Sequence, residues 1–396
     1  MKLLFIQGGS RWKFDSQGNV YTDANFNENI WNRYRKYCDE LTVLLRCETQ
    51  IYSPEEAMQK FNIFDASKST YETMPDLYRP IDNFFKPSIR KQIKHTIENA
   101  VKKADKVIIR SVSDIYTNLA VYYAQKYNKP YLIEVTTFIY ESLWYHSLKG
   151  KFIARYQENK CKKAVYESKY AVYVTEEALQ KRYPCKGKVL GCSDVELEVM
   201  NDEILQRRLK KIKENNGKLV IGTAAFLDVG WKGQKYVIMA LNNLKQKGIT
   251  NIEYQLIGAG TGHDLQNLVD TLGMQEQVKQ IGAMPHDQVS GWLDSIDIYI
   301  QPSFQEGLCR ALLEAMSRGC PAIATDVGGN YELLSKEYLV QPKNHNQIAE
   351  VLLKLSNDVM LEKCAKANYV TAKKYETTRL DRMRDKFYMQ FMLEGN

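Results

Sequence analysis

The sequence predicts an α/β protein of two similar domains, each a parallel sheet with helices on both faces. Three observations carry this. The chain has 396 residues, too long for one ordinary core and suited to two domains. Short apolar runs rich in β-branched residues alternate with amphipathic stretches in both halves, the pattern of strands followed by crossover helices. Between the halves lies LEVMNDEILQRRLKKIKENNGK (197–218), polar and highly charged, with Asn215, Asn216 and Gly217 near its end.

The strands follow in order. In the first half they are KLLFI (2–6), LTVLLR (41–46), KVIIR (106–110), YLIEV (131–135) and YAVYVT (170–175). In the second they are KLVIG (218–222), IEYQLIG (252–258), QIG (280–282), DIYIQP (297–302), PAIAT (321–325) and YLV (338–340). The first run is broken by Gln7, Gly8 and Gly9, which reads as a buried strand followed by a glycine turn rather than a signal peptide. The expected domains are 1–200 and 215–379. A C-terminal helix of about 380–396 has no core of its own and is expected to pack back on the first domain. Ligands of such sheets bind beyond the carboxyl ends of the strands, so the expected site is a cleft between the domains.

Composition is that of a globular protein, 44% hydrophobic and 26% charged. No window is long and apolar enough to span a membrane. The eight cysteines are scattered, with no zinc spacing, and read as reduced packing thiols of a cytoplasmic protein. A net charge of +8 is too modest to imply nucleic acid. Two basic stretches with helical spacing, 85–106 and 148–170, are solvated helix faces on the plainer reading. On the sharper one they hold the protein to an anionic membrane surface or a lipid-linked substrate.

Several chemistries are unsupported. There is no phosphate-binding G-x-x-x-x-G-K-[ST], no D-x-D for a metal on a diphosphate, no G-x-S-x-G and no H-E-x-x-H. The run GAGTGH (258–263) carries His263 where a dinucleotide fingerprint needs glycine. No metal and no cofactor are expected.

The stretch EGLCRALLE (306–314) places Glu306 and Glu314 eight residues apart just after an apolar run. Glu306, Arg310, Glu314 and Arg318 at spacings of four would make a ladder of opposite charges on a helix face, a common surface device. The alternative rests on context. A helix opening at Gly307 and Leu308 would aim free N–H groups beyond the strand, a ready anion site. Eight helical residues rise about 12 Å, so two acceptor-only carboxylates would meet the ends of an extended, hydroxyl-rich ligand. An anion between two sets of hydroxyls describes a nucleotide sugar. In GTAAFLDVGWKGQKYVIMAL (222–241), Lys232 stands before Gly233 at a helix start and can reach a diphosphate. In ATDVGGNYELL (324–334), Gly328 and Gly329 open another helix after another strand.

This pattern resembles the retaining GT-B glycosyltransferases of family four (group 1), which build bacterial polysaccharides and lipid-linked glycans. The residues that carry the resemblance are Glu306 and Glu314 in PSFQEGLCRALLEAMSRGCPAIATDVGGNYELL, supported by WKGQ (231–234), LIGAGTGHDL (256–265) and IGAMPHDQVSGWLDSIDIYIQPS (281–303). It covers the second half and rests on softer features, such as VYVTEEALQKRYP (172–184), in the first. It implies two Rossmann-like domains facing across a deep cleft. It also implies transfer of a sugar from a UDP- or GDP-linked donor to a glycan or lipid-linked saccharide, with retention and without metal.

By position, Glu306 would bind sugar hydroxyls, Glu314 the ribose, and Lys232 the diphosphate. Backbone of Gly307, Leu308 and Cys309 would face the sugar and phosphate. The loop at Ala283 and Met284 would hold the base, with Gly222, Thr223 and Gly258 also on the donor side and Gly8 and Gly9 lining the cleft. Two departures stand out. The family's arginine six residues before the lysine is absent, the position being Phe226, and Arg310 is the expected substitute. The family's first-domain histidine is absent after YLIEV, and Glu134 and His146 are the candidates for acceptor binding. The rival readings are a nucleotide-sugar epimerase of the same fold and a non-catalytic nucleotide-sugar-binding partner.

Overall fold

The computed structural model describes residues 1–23, 26–197, 199–215 and 217–394. The chain divides into two compact units. The first comprises Met1–Val174, Gln180–Gly191 and Arg384–Asn396, the second Thr175–Leu179 and Cys192–Met383.

The first unit is built on the strand Lys2–Asp15, with Glu40–Tyr52 on one side and Lys106–Arg110 on the other, all parallel. Thr70–Pro75 extends the sheet beyond Glu40–Tyr52. Tyr131–Val135, Tyr170–Tyr173 and Lys188–Gly191 extend it the other way. Leu3, Leu4, Phe5 and Ile6 are all buried, so both faces of the central strand are covered, as parallel sheets require. The expected glycine turn after residue 6 is not there. The strand runs on through Gly8 and Gly9 with a register shift and turns only after Asp15, where Gly18 takes φ +84. Gly8 serves close approach instead, because a Cβ there would collide with the Asp114 carboxyl. Burial raises the pKa of that carboxyl above its ordinary value.

The second unit is a six-stranded parallel sheet in the order Val278–Gly282, Ile252–Ile257, Leu219–Ala224, Ile298–Gln301, Ala322–Thr325, Leu339–Val340. In chain order this is 3-2-1-4-5-6, the doubly wound arrangement. Its direction of winding reverses between Leu219–Ala224 and Ile298–Gln301, so a crevice opens where the loops leave those two strands in opposite directions. The charged stretch between the halves is in part the helix Asp202–Lys213. Its Arg208 is buried and donates to the backbone oxygens of Ile296 (2.5 Å), Leu293 (2.7 Å) and Arg318 (3.3 Å). Of the three small residues expected to end that stretch, Gly217 takes φ +88 and donates its N–H to Asn215 Oδ1, while Asn216 lies outside the described residues.

Candidate active site

All strands of the second sheet are parallel, so every loop that follows a strand emerges on one edge. Three of them converge where the winding reverses. From Leu219–Ala224 the chain passes through a 3-10 turn, Gly230–Lys232, into the helix Gln234–Gln246. From Ile298–Gln301 it passes through residues 302–309 into the helix Arg310–Ser317. From Ala322–Thr325 it passes through Gly328 and Gly329 into the short helix Asn330–Leu333.

The loops are tied to one another by backbone. Phe304 N–H donates to Trp231 O at 2.8 Å, and Gly329 N–H to Gly307 O at 2.8 Å. Gly233 (φ +78) and Gly328 (φ +57) adopt the left-handed conformation, and a Cβ on either would strike Pro302 O or Glu306 O respectively. Only glycine meets both demands. These glycines therefore let loop backbone approach loop backbone.

The result is a contact between residues 74 apart in sequence. Lys232 Nζ lies 2.8 Å from Glu306 Oε1, and both side chains are largely buried. Gln301 supports the same oxygen, donating from Nε2 at 3.1 Å while also donating to Ser303 Oγ at 2.8 Å. Tyr299 fixes that amide by donating its hydroxyl to Gln301 Oε1 at 2.7 Å. Burial holds the Tyr299 phenol protonated, well above its usual range, which keeps it a donor. Among the described residues both Glu306 contacts fall on Oε1, which leaves Oε2 its lone pairs for a hydroxyl. Cys309 is buried beside the pair. Burial, reinforced by the Glu306 charge, raises its pKa well above the ordinary thiol value, so it is a packing group rather than a nucleophile.

The helix begins three residues later than expected. Cys309 is its N-cap and Arg310 its first residue, so Glu306 stands in the loop and not on a helix face. The ladder of alternating charges is thereby broken at its first member, and the 12 Å helical separation of the two glutamates does not apply. Glu306 is placed by Lys232 and Gln301. Glu314 lies one helical turn after the exposed Arg310, and Arg318 ends the helix paired to Asp294, Nε to Oδ1 at 2.9 Å. Gly307, Leu308 and Cys309 form the last stretch of loop. Among the described residues their N–H groups have no backbone acceptor.

Other expected residues are dispersed along the same edge or withdrawn from it. Gly258 donates its N–H to Gly282 O at 2.8 Å, which joins its loop to the one carrying Ala283 and Met284. That loop is three strand spacings, about 14 Å, from the loop of Glu306. Gly222 and Thr223 are not presented to a ligand. Gly222 gives room to the Trp292 ring, and Thr223 is fully buried, its hydroxyl donating to Ile300 O at 2.7 Å. Both are corrected to packing roles. Phe226, where the arginine is missing, is exposed.

In the first unit, Gly9 accepts at its carbonyl from Arg46 (2.6 Å), and His146 is an exposed residue ending the helix Ile139–His146. Glu134 is a further correction. It is buried, paired to Arg110 at 2.6 Å, and accepts the hydroxyls of Tyr34 (2.8 Å) and Tyr388. A carboxylate so engaged is a structural hub and not an acceptor contact.

Three residues of the edge escaped sequence reasoning. Gln301 and Tyr299 were hidden in an apolar strand, though a glutamine ending DIYIQ was a signal. Asp228 accepts from Thr261 N–H and Gly262 N–H, each at 2.8 Å, and binds the GAGTGH loop to that of Lys232. These N–H donors hold its carboxyl below the usual range.

Comparison with known proteins identifies the family. Residues 206–374 match the family of glycosyl transferases group 1. The chain is similar to Protein CapJ of Staphylococcus aureus, with 30% identity over 357 residues, 89% of this chain and 85% of CapJ. It is similar to the amylovoran biosynthesis glycosyltransferase AmsK of Erwinia amylovora, with 32% identity over 138 residues, 32% of this chain and 33% of AmsK. Among solved structures it resembles Anabaena HepE in complex with UDP, with a TM-score of 0.64 at 15% identity, over 98% of this chain and 100% of HepE. Two Rossmann-like units of this kind are the GT-B glycosyltransferase fold. The chain belongs to the glycosyl transferases group 1 family.

Proposed function

We propose that this glycosyltransferase moves a hexose from a UDP- or GDP-linked donor to a glycan or lipid-linked saccharide in cell-surface polysaccharide synthesis, with retention of configuration. The observation that carries the reading is the Lys232–Glu306 pair at the reversal of the second sheet. A cation and an anion that neutralise each other in the free protein are matched to a ligand carrying a diphosphate and hydroxyls. On binding, Lys232 would turn to the diphosphate and Glu306 would accept from the sugar. Glu314 serves the ribose, and the N–H groups at 307–309 face the phosphate. The bond from the anomeric carbon to the phosphate oxygen breaks, the acceptor oxygen bonds that carbon on the same face, and the phosphate oxygen takes the acceptor proton. Positioning and stabilisation of the leaving diphosphate supply the rate, and Lys232 with these N–H groups would do so without a metal. The UDP in the HepE structure supports a UDP-linked donor, and the name of AmsK supports a polysaccharide product.

A screen of UDP- and GDP-sugars by calorimetry and slow hydrolysis, with Glu306→Ala as control, tests this. One donor is expected to bind, to be turned over by the parent and to yield a product of retained anomer by NMR. Binding without turnover on any extracted acceptor would replace the reading with that of a non-catalytic partner. Conversion of UDP-GlcNAc without acceptor would replace it with an epimerase. Arg310 is the exposed cation nearest the start of the helix that follows the Glu306 loop, and Arg310→Ala is expected to weaken donor affinity about two- to fivefold, the effect of an exposed ion pair. Unchanged affinity and turnover would remove it as the substitute for the missing arginine.

A further inference from the structure

The first half of the helix Leu148–Glu167 of the first unit is built inside out. The helix buries Gly150, Ala154, Gln157, Glu158, Cys161, Ala164 and Val165. The two long polar residues among them face polar or charged groups of the protein. Asn118 Nδ2 donates to Gln157 Oε1 at 2.9 Å, and Glu158, at 0% exposure, lies 2.7 Å from Arg182 Nε and 3.0 Å from Lys162 Nζ. In the first half of the helix the large apolar residues point out instead. Leu148 is 75% exposed, Phe152 89% and Tyr156 62%, in one row at spacings of four, with Ile153 beside them. An ordinary surface helix has the opposite arrangement, and a contiguous exposed apolar row marks an interaction site.

Charge says what the row meets. Residues 148–157 contain Lys149, Lys151 and Arg155 and no carboxylate. Lys151 lies over the ring of Trp144, itself partly exposed on the preceding helix. A second feature of the same kind stands on the same rim. The 3-10 turn Ile81–Phe85 follows the carboxyl end of Thr70–Pro75, as residues 139–148 follow that of Tyr131–Val135, a strand running the same way in the same sheet. It exposes Ile81 and Phe85 with one carboxylate, Asp82, and the cations Lys86, Lys91 and Lys94 follow it. Apolar rows interleaved with cations fit a surface that offers anionic headgroups above acyl chains. Lysine stems lie along the apolar layer while their ammonium groups reach the phosphates.

We propose that this rim of the first unit, led by Leu148, Phe152, Ile153 and Tyr156, seats the protein on an anionic lipid bilayer. No helix among the described residues is long and apolar enough to cross a membrane. The attachment holds whatever the sugar donor is.

Flotation of the full chain with phosphatidylcholine vesicles, with and without phosphatidylglycerol, tests it. The protein is expected to float with the phosphatidylglycerol vesicles, less at high salt, and poorly with phosphatidylcholine alone. Phe152→Ser with Ile153→Ser, and separately Lys149→Glu with Lys151→Glu, are each expected to lower partitioning roughly tenfold or more. Both variants should keep the parental melting curve and soluble nucleotide binding, since these side chains are exposed. The proposal is overturned if the variants float like the parent or if the parent ignores phosphatidylglycerol. It is also overturned if sedimentation shows a dimer that Phe152→Ser dissolves, because the row would then face a second copy.

Discussion

Lys232→Ala and Glu306→Ala are each expected to lower kcat/KM for sugar transfer by roughly 10²- to 10³-fold, the usual loss when one preorganised electrostatic group is removed, and the double variant by little more. The two side chains touch at 2.8 Å and share Gln301 as support. Removing either leaves the other largely buried without its partner and misdirected, so the damage overlaps. Residues that act as a unit are non-additive for this reason. The measurement is a double-mutant cycle on steady-state kinetics with the donor found by the screen. Single variants within about twofold of the parent, or losses that multiply in the double, would sink the pair as the catalytic core. Glu306→Gln sharpens the result. It keeps an acceptor for a hydroxyl but loses the charge that holds Lys232, so it should fall between the parent and the alanine variant.

The legibility of this molecule in its sequence depended on whether a feature was local. KVIIR and YLIEV were read to the residue as Lys106–Arg110 and Tyr131–Val135, because a buried parallel strand is a continuous apolar run bounded by polar residues. Thr70–Pro75, reading TYETMP at the sheet edge, gave no such run, and neither did the short strands Val20–Thr22 and Asn62–Ile63. The candidate site was legible as residue types and not as contacts. Glu306 and Lys232 could be chosen because each follows an apolar strand. That they meet is decided by Gly233 and Gly328, which let three loops close on one another. The spacing of four residues in EGLCRALLE suggested a helical ladder, but backbone contacts from Trp231 and Gly329 hold residues 304–307 as loop and start the helix at Arg310.

Glu134 shows the reverse case, and it yields the second large effect. Its partners stand at positions 34, 110 and 388, so nothing near it in sequence announced that it was already occupied. Glu134→Ala is expected to destabilise the first unit by about 3–5 kcal/mol, the cost of breaking one side of a buried ion pair. It removes the carboxylate 2.6 Å from Arg110 and the acceptor of two buried phenols, Tyr34 and Tyr388. Arg110→Ala should cost less, because Glu134 would retain both tyrosine donors. Tyr388 lies in the last helix, Thr377–Leu393, so the loss should be felt at the C-terminus first. Thermal unfolding measures the ranking, and hydrogen exchange measures its location. Exchange should accelerate over residues 384–393 in Glu134→Ala at temperatures where the rest of the first unit remains protected. If Glu134→Ala melts with the parent and loses only acceptor turnover, the carboxylate belongs to the acceptor site and is no structural hub.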